Sequence, residues 1–513
     1  MDRRRFLAST GQAALLALYS KGLFAAQASS GKSKMLGMYI HQHWPYNRPY
    51  AARTWTLEDW RGYAQGLRLL GYNTVMVWPM IEVMPDPLTP NDRASLRKHS
   101  RIIRMMHDEF GMRVLITLCP NIMAINREAA EDTYERRHFF YCDRRVNPAD
   151  ANAVRQMLET KRKFLEPLKE MDGVAIIDSD PAGYPGSNNE QFVGLLGQYR
   201  QMLDQLRPDI ELLYWMHAGW LAYCHYYETA VFKMGTKPDF EDTLARLEKL
   251  DPKPWGIATT HLAYAEEAGL GARTIALNYG RIEEEPSFPL TNFGGKKAYD
   301  GGHTSAARGV MGNAQTHCVQ LPNTFAFARG AQSLPCERSH YLGFASRLIP
   351  GHEEIIVQSW EALGGSDLEP MRRIAGVIAP LAAQGSHKTG DLRGLLFGSP
   401  QRFLNDLLLQ LNYKASAEEF FSATRNGKDV RFAFGGFLDA AEAWQHQHGY
   451  QCRWRWPELQ EATTQLNLPE INNAWTPEIP GEGFEKVRHS YAIAETQTVR
   501  LLEAMRTTWA RMD

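Results

Sequence analysis

Two carboxylates stand two residues apart where an apolar run gives way to a Pro/Gly-rich loop: Gly173-Val174-Ala175-Ile176-Ile177-Asp178-Ser179-Asp180-Pro181-Ala182-Gly183-Tyr184-Pro185-Gly186. Side chains alternate along a strand, so Ile176, Asp178 and Asp180 fall on one side and Ile177 and Ser179 on the other. The pattern predicts both acids pointing into one mouth, where one can protonate a leaving group and the other can act as base or stabilise positive charge. Asp180 precedes Pro181, which keeps its backbone extended and sets it at the strand lip. Turn formation and capping are the plainer reading of Asp in a D-P-x-G context. A two-residue step covers roughly 6.6 Å.

Further polar and aromatic residues gather at the ends of other apolar runs. They are His41, His43 and Trp44; Trp78 and Glu82; Asn121; Trp215 and His217; Asn278, Tyr279 and Arg281; and Asn313, Gln315 and His317. Strand-like runs begin at Met35, Thr74, Arg113, Gly173, Glu211, Trp255, Thr274 and Gly309, with helical patterns of period 3.6 between most of them. The clearest helix carries Phe192, Leu195, Leu196, Tyr199, Met202, Leu203 and Leu206 at core spacing. Eight such units fit an α/β fold of the (β/α)8, or TIM-barrel, type, whose chemistry sits at the C-terminal ends of the strands. A doubly wound open sheet is the alternative, but no G-x-G-x-x-G follows the first run. The barrel is expected over residues 35–335. Residues 336–513 read as a Leu/Ala-rich C-terminal helical domain, and the Gly/Lys/Tyr/Asp stretch 294–303 as a long loop or insertion.

The remaining composition narrows the function. Arg3-Arg4-Arg5-Phe6-Leu7, an apolar run and Ala26-Gln27-Ala28 read as a twin-arginine signal peptide over residues 1–28, which predicts export to the periplasm or beyond. No other segment has the length of a membrane span. With 57 basic against 58 acidic residues, the chain lacks the excess that nucleic-acid or anionic-membrane binding requires. Six cysteines (119, 142, 224, 318, 336, 452) are scattered without a C-x-x-C, so neither a zinc ribbon nor a disulfide scaffold is indicated. The 13 Trp, 21 Tyr and 22 Phe suit a protein that stacks on sugar rings, with core packing as their commoner use. A carbohydrate partner is expected, with no cofactor and no metal, and self-association into a homodimer is left open.

Glycosidic cleavage passes through an oxocarbenium-like state served by an acid and a second carboxylate. The D-G-V-x-I-x-D-x-D run from Asp172 to Asp180 resembles the fourth-strand region of TIM-barrel glycoside hydrolases of the chitinase, hexosaminidase and O-GlcNAc hydrolase group. Asn313 to Asn323, then Phe325, Phe327 and helices, is similar in placement to the barrel end and helical extension of some of them. The resemblance implies Asp180 as general acid/base and Asp178 as its partner, orienting or stabilising a substrate acetamido group. His41, His43, Trp78, Arg144, Trp215, His217, Asn278, Tyr279, Arg281, Asn313 and Gln315 are the residues expected to hold the sugar. Arg144, Arg145 and Arg281 suit a carboxylate, as in a uronic or sialic acid. An alternative uses His41-x-His43, with a fourth-strand acid, His217 and His261, as the ligands of a metal-dependent amidohydrolase. A second alternative is a non-catalytic carbohydrate-binding barrel. The anomeric outcome stays open, because the acid spacing falls between the retaining and inverting separations.

Overall fold

The chain is seen here as a computed structural model that describes residues 34–42, 47–137, 144–179, 182–229, 231, 233–250, 255–278, 280–283, 290–295, 306–449, 461–462, 464 and 502–512. Eight parallel strands close into a barrel: β1 Met35–Ile40, β2 Thr74–Val77, β3 Arg113–Leu118, β4 Gly173–Ile177, β5 Glu211–Met216, β6 Trp255–Thr259, β7 Thr274–Asn278 and β8 Gly309–Ala314, with β8 paired to β1. The TIM-barrel expectation is met strand by strand. Every predicted run starts a strand at the residue named for it. Helices α1 Leu57–Leu70, α2 Pro90–Phe110, α3 Ala151–Leu165 and α4 Asn189–Leu206 link the first five strands. Thr56, Thr89 and Asn188 close capping boxes with Asp59, Asp92 and Gln191 at three of these starts, giving the first-turn N–H groups acceptors.

Register fixes which side chains enter the lumen. Tyr39 on β1 lies beside Met76 on β2 and Asn313 on β8, while Ile177 on β4 lies beside Trp215 on β5. Tyr39 and Trp215, from strands on opposite sides of the barrel, meet edge to face with ring centroids 5.0 Å apart, so this parity is the inward one. At the N-terminal end the same parity brings in Glu211, which pairs with Arg308 and, at 3.2 Å, with Arg113. The interior is thus plugged by an ion cluster below and by aromatic rings above. Gly256 makes room for the cluster, since a Cβ there would meet Leu213 Cδ2 at 2.1 Å and Arg308 Nη1 at 2.4 Å.

Beyond β8 the chain is helical: α5 Leu321–Ala331, α6 Arg338–Leu348, α7 Glu353–Gly364, α8 Leu368–Ala382, α9 Pro400–Asn426 and α10 Val430–His448. These helices share one compact unit with the barrel, Met35–Asp513. Polar and aromatic contacts tie them to the segment entering α1. Tyr50 donates to Asp406 Oδ1 at 2.6 Å, Gln447 donates to the Tyr50 hydroxyl at 3.0 Å, and Trp55 packs on Phe397 at 4.6 Å. Asp406 is buried, which pushes its carboxyl up to about 6 although Arg402 pairs with it. Backbone meets backbone at Gly394, where a Cβ would lie 2.1 Å from the carbonyl oxygen of Gly62 in α1. Gly394→Ala must therefore move a helix. We expect a loss of about 2 kcal/mol or more in urea unfolding, with Gly343→Ala, in open space on α6, changing little.

Candidate active site

Parallel strands end in N–H groups that have no ladder partner, and three buried carboxylates at the C-terminal end of the barrel accept them. After β2, Glu82 accepts from Cys119 N–H at 2.7 Å and from Trp78 Nε1 at 3.0 Å, which fastens the exit of β3. After β4, Asp178 accepts from the N–H groups of His217 and Ala218 at 3.2 and 3.1 Å and from the Tyr214 hydroxyl at 2.7 Å, fastening the exit of β5. After β7, Glu283 accepts from Gln315 and Thr316 N–H at 2.6 and 2.7 Å and from the Thr316 hydroxyl at 2.7 Å, fastening the exit of β8. Each acid at the end of one strand holds the loop of its neighbour. Asn121 does the same between loops, donating to Val146 and Gly183 carbonyls.

This arrangement corrects the expected direction of Asp178. Ile176 lies in register with Tyr214, whose ring packs on Phe192 of α4, so Ile176 and Asp178 face the sheet–helix layer. The residues that enter the lumen are Ile177 and Ser179. Burial pushes the Asp178 carboxyl up, and the Tyr214 hydroxyl and His217 N–H oppose that without cancelling it. Both its oxygens are engaged by the protein. The expectation that Asp178 points into the mouth is therefore not met.

The mouth itself is lined from several strand ends. Tyr39 and Trp215 form its floor, His41 packs on Tyr39 at 4.2 Å, and the His217 ring lies 6.3 Å from that of Trp215. Three buried groups here have polar atoms without a hydrogen-bond partner among the described residues: Ser179 Oγ, Trp215 Nε1 and Asn313 Nδ2, whereas Asn278, in register with Gly312, falls on the helix side of β7. Asn313 uses its Oδ1 to accept from Gly280 N–H at 2.9 Å, which fixes the amide and leaves Nδ2 as a donor. Leaving such groups unpaired costs about 1–3 kcal/mol each, so a cluster of them marks a place built for a polar ligand.

The other candidates divide. Trp78 is buried with its Nε1 on Glu82 and so takes part in fastening the loops, while Gln315 is buried with its backbone N–H on Glu283 and shares the strand parity of Asn313. Arg144 is exposed on a short antiparallel pairing with Met123, while Arg145 lies over the Tyr227 ring at 3.7 Å. Arg281 is partly buried in the loop after β7. Asp180, His43 and Tyr279, with Trp44, His138 and stretch 296–303, lie outside the described residues. Sequence reasoning missed Glu283 and Tyr39. Glu283 opens an acidic run five residues beyond Asn278, a spacing that carries no signal until β8 is seen beside it. Tyr39 reads as ordinary strand core, and only the pairing of opposite strands reveals it as the floor.

His317 points away from the mouth. Its Nδ1 meets the Tyr63 hydroxyl of α1 at 2.5 Å, and burial depresses the imidazole to about 3. Among the described residues, no group of three or more His, Cys, Asp and Glu is placed to hold a metal ion. His261 instead donates through Nε2 to the His217 carbonyl at 3.1 Å.

No family model matches the sequence, nor does any curated protein. In backbone path the chain resembles TIM-barrel glycoside hydrolases. A family 89 glycoside hydrolase from Clostridium perfringens aligns with a TM-score of 0.48 at 10% identity over 94% of this chain and 64% of that one. The O-GlcNAc hydrolase of Thermobaculum terrenum aligns with a TM-score of 0.44 at 11% identity over 88% of this chain and 99% of that one. The β-N-acetylhexosaminidase of Streptomyces coelicolor gives 0.37 at 10% identity over 65% of this chain and 68% of that one.

Two measurements probe these elements. Glu283→Ala strips acceptors from two backbone N–H groups and a hydroxyl, and is expected to lower unfolding free energy by about 3 kcal/mol or more. Glu283→Gln, which keeps an acceptor, should recover part of that. For His317, folded depression to about 3 from 6.5 means that the unfolded chain alone takes up a proton below pH 6.5. The stability that the neutral ring contributes is present above that pH and is lost as pH falls from 6.5 toward 3. The melting-temperature advantage of the wild type over His317→Gln should therefore shrink between pH 7 and pH 5.

Proposed function

We propose that this protein is a glycoside hydrolase whose substrate enters the C-terminal mouth of the barrel. The observation that carries the reading is the set of buried polar atoms on Ser179, Trp215 and Asn313 that have no partner among the described residues, at the strand ends beside the rings of Tyr39, His41 and Trp215. A polyhydroxylated ring offers donors and acceptors on its rim and C–H groups on its faces, which is the complement of such a lining. A wholly apolar ligand would leave those atoms unpaired.

Within this reading Asp180 is the general acid. Asp178 cannot take that part, since its oxygens already accept from Tyr214, His217 and Ala218. Asp180 is the other acid of the motif and follows Ser179, the last lumen-facing residue of the β4 exit described. Protonation of the glycosidic oxygen by Asp180 lets the C–O bond break as positive charge grows on the anomeric carbon. Oxocarbenium character then calls for a second carboxylate or a substrate group on the opposite face. The substrate class is an N-acetylated or acidic sugar in this proposal, with Arg144 and Arg281, on the loops that follow β3 and β7, as the cations that would meet a carboxylate.

The test is hydrolysis of aryl glycosides of N-acetylhexosamines, neutral hexoses, uronic acids and sialic acid, with and without chelator. Chelator-resistant turnover that falls by roughly 10²-fold or more in Asp180→Asn, at unchanged melting temperature, is the expected result. Turnover abolished by chelator would replace the acid mechanism with a metal-dependent one. Binding of sugars without turnover would make the protein a carbohydrate-binding barrel.

A further inference from the structure

The exit of β5 is held by a dense set of hydrogen bonds. Thr259 Oγ1 donates to the Met216 carbonyl at 2.9 Å. The His217 N–H donates to both oxygens of Asp178 at 3.2 Å, and the Ala218 N–H to Oδ1 at 3.1 Å. The His217 carbonyl accepts from His261 Nε2 at 3.1 Å, and the Ala218 carbonyl from Gly235 N–H at 2.7 Å. Three separate segments, those of Asp178, of Thr259 to His261 and of Gly235, thus fix three consecutive residues that belong to no helix. His261 is itself fixed: it stacks on Tyr264 with centroids 5.6 Å apart and planes 7° from parallel, and packs on Phe240 at 4.9 Å. Its backbone N–H donates to the same Thr259 hydroxyl at 2.9 Å.

The side chain carried by this clamped segment is a partly exposed imidazole. His217 shares the lumen parity of Trp215, and its ring lies beside the indole. A loop needs no such restraint to end a strand. Restraint of this completeness lowers the cost of holding one side chain in one place, which is what a substrate-facing group requires.

We infer that His217 contacts the substrate in the barrel mouth and that His261 and Asp178 are positioning residues that act through its backbone. This inference rests on the glycoside hydrolase reading for the substrate, but the positioning part stands on the hydrogen bonds alone. His261 works as a donor, so the neutral ring must carry its proton on Nε2 when the His217 carbonyl accepts.

The experiment is a double-mutant cycle with a spectroscopic arm. His261→Phe keeps the stack on Phe240 and Tyr264 and removes only the donor, and His261→Gln restores an N–H. On the best aryl glycoside, His217→Ala should lower kcat/KM by roughly 10²-fold, and His261→Phe by about 10- to 100-fold, with His261→Gln recovering part of it. In the His217→Ala background, His261→Phe should cost nothing more. A further loss of the same size in that background would show His261 to be structural and overturn the inference. The second arm needs no turnover: the His217 ring signal, assigned by its loss in His217→Ala, should be single and narrow in wild type and broadened or doubled in His261→Phe. An unchanged signal would equally overturn it. Absence of glycosidase activity in wild type would sink the functional proposal, and the ring signal would still decide the positioning.

Discussion

A parallel barrel presents at its C-terminal rim a circle of N–H groups that the ladder does not satisfy, and three buried carboxylates meet that demand here. Glu82, Asp178 and Glu283 each sit at the end of one strand and accept from the loop that leaves the next. Removing an acid from water costs several kcal/mol, and the bonds formed must offset this. The depth of burial shows in the raised carboxyls of Glu82 and Asp178. What results is a rim whose loops are fixed in pairs, β2 with β3, β4 with β5 and β7 with β8. The mouth inherits its shape from those pairs.

The same rim separates two kinds of polar residue. Asp178, which faces the helix layer, has both oxygens bonded, to the Tyr214 hydroxyl and to the N–H groups of His217 and Ala218. Several residues that face the lumen, among them Ser179, Trp215 and Asn313, keep at least one buried atom without a partner among the described residues. A sheet shows one side to its helices and the other to its axis, so a single residue of parity decides between fastening a loop and meeting a ligand. Asp178 and Ser179 are neighbours in the chain on opposite sides of that division.

The helices beyond β8 bear in part on the segment that leads from β1 into α1. There Tyr50 and Trp55, with Gly62 in α1 itself, meet Asp406, Phe397 and Gly394. That segment leads out of β1, whose exit carries His41, and Gln42 there bonds His99 of α2 at 3.1 Å. Packing of the helical region thus reaches the mouth through one wall of the barrel.

The sequence by itself determined the eight strands, their starting points and the closed α/β architecture, because apolar runs and helical stripes are local and repeat eight times. It also determined that polar and aromatic residues stand at the strand ends, since those positions follow directly from where each apolar run stops. Tertiary structure alone decided what each of them does. Glu82 and Glu283 became fastening residues because the exits of β3 and β8 lie beside them, and Tyr39 became the floor because β5 lies opposite β1. Asp178 faced the helix layer because register with Tyr214 sets the parity of β4, a relation between strands that no spacing within one strand contains. Local pattern fixes which residues reach the rim, and only the closing of the sheet fixes which way they turn.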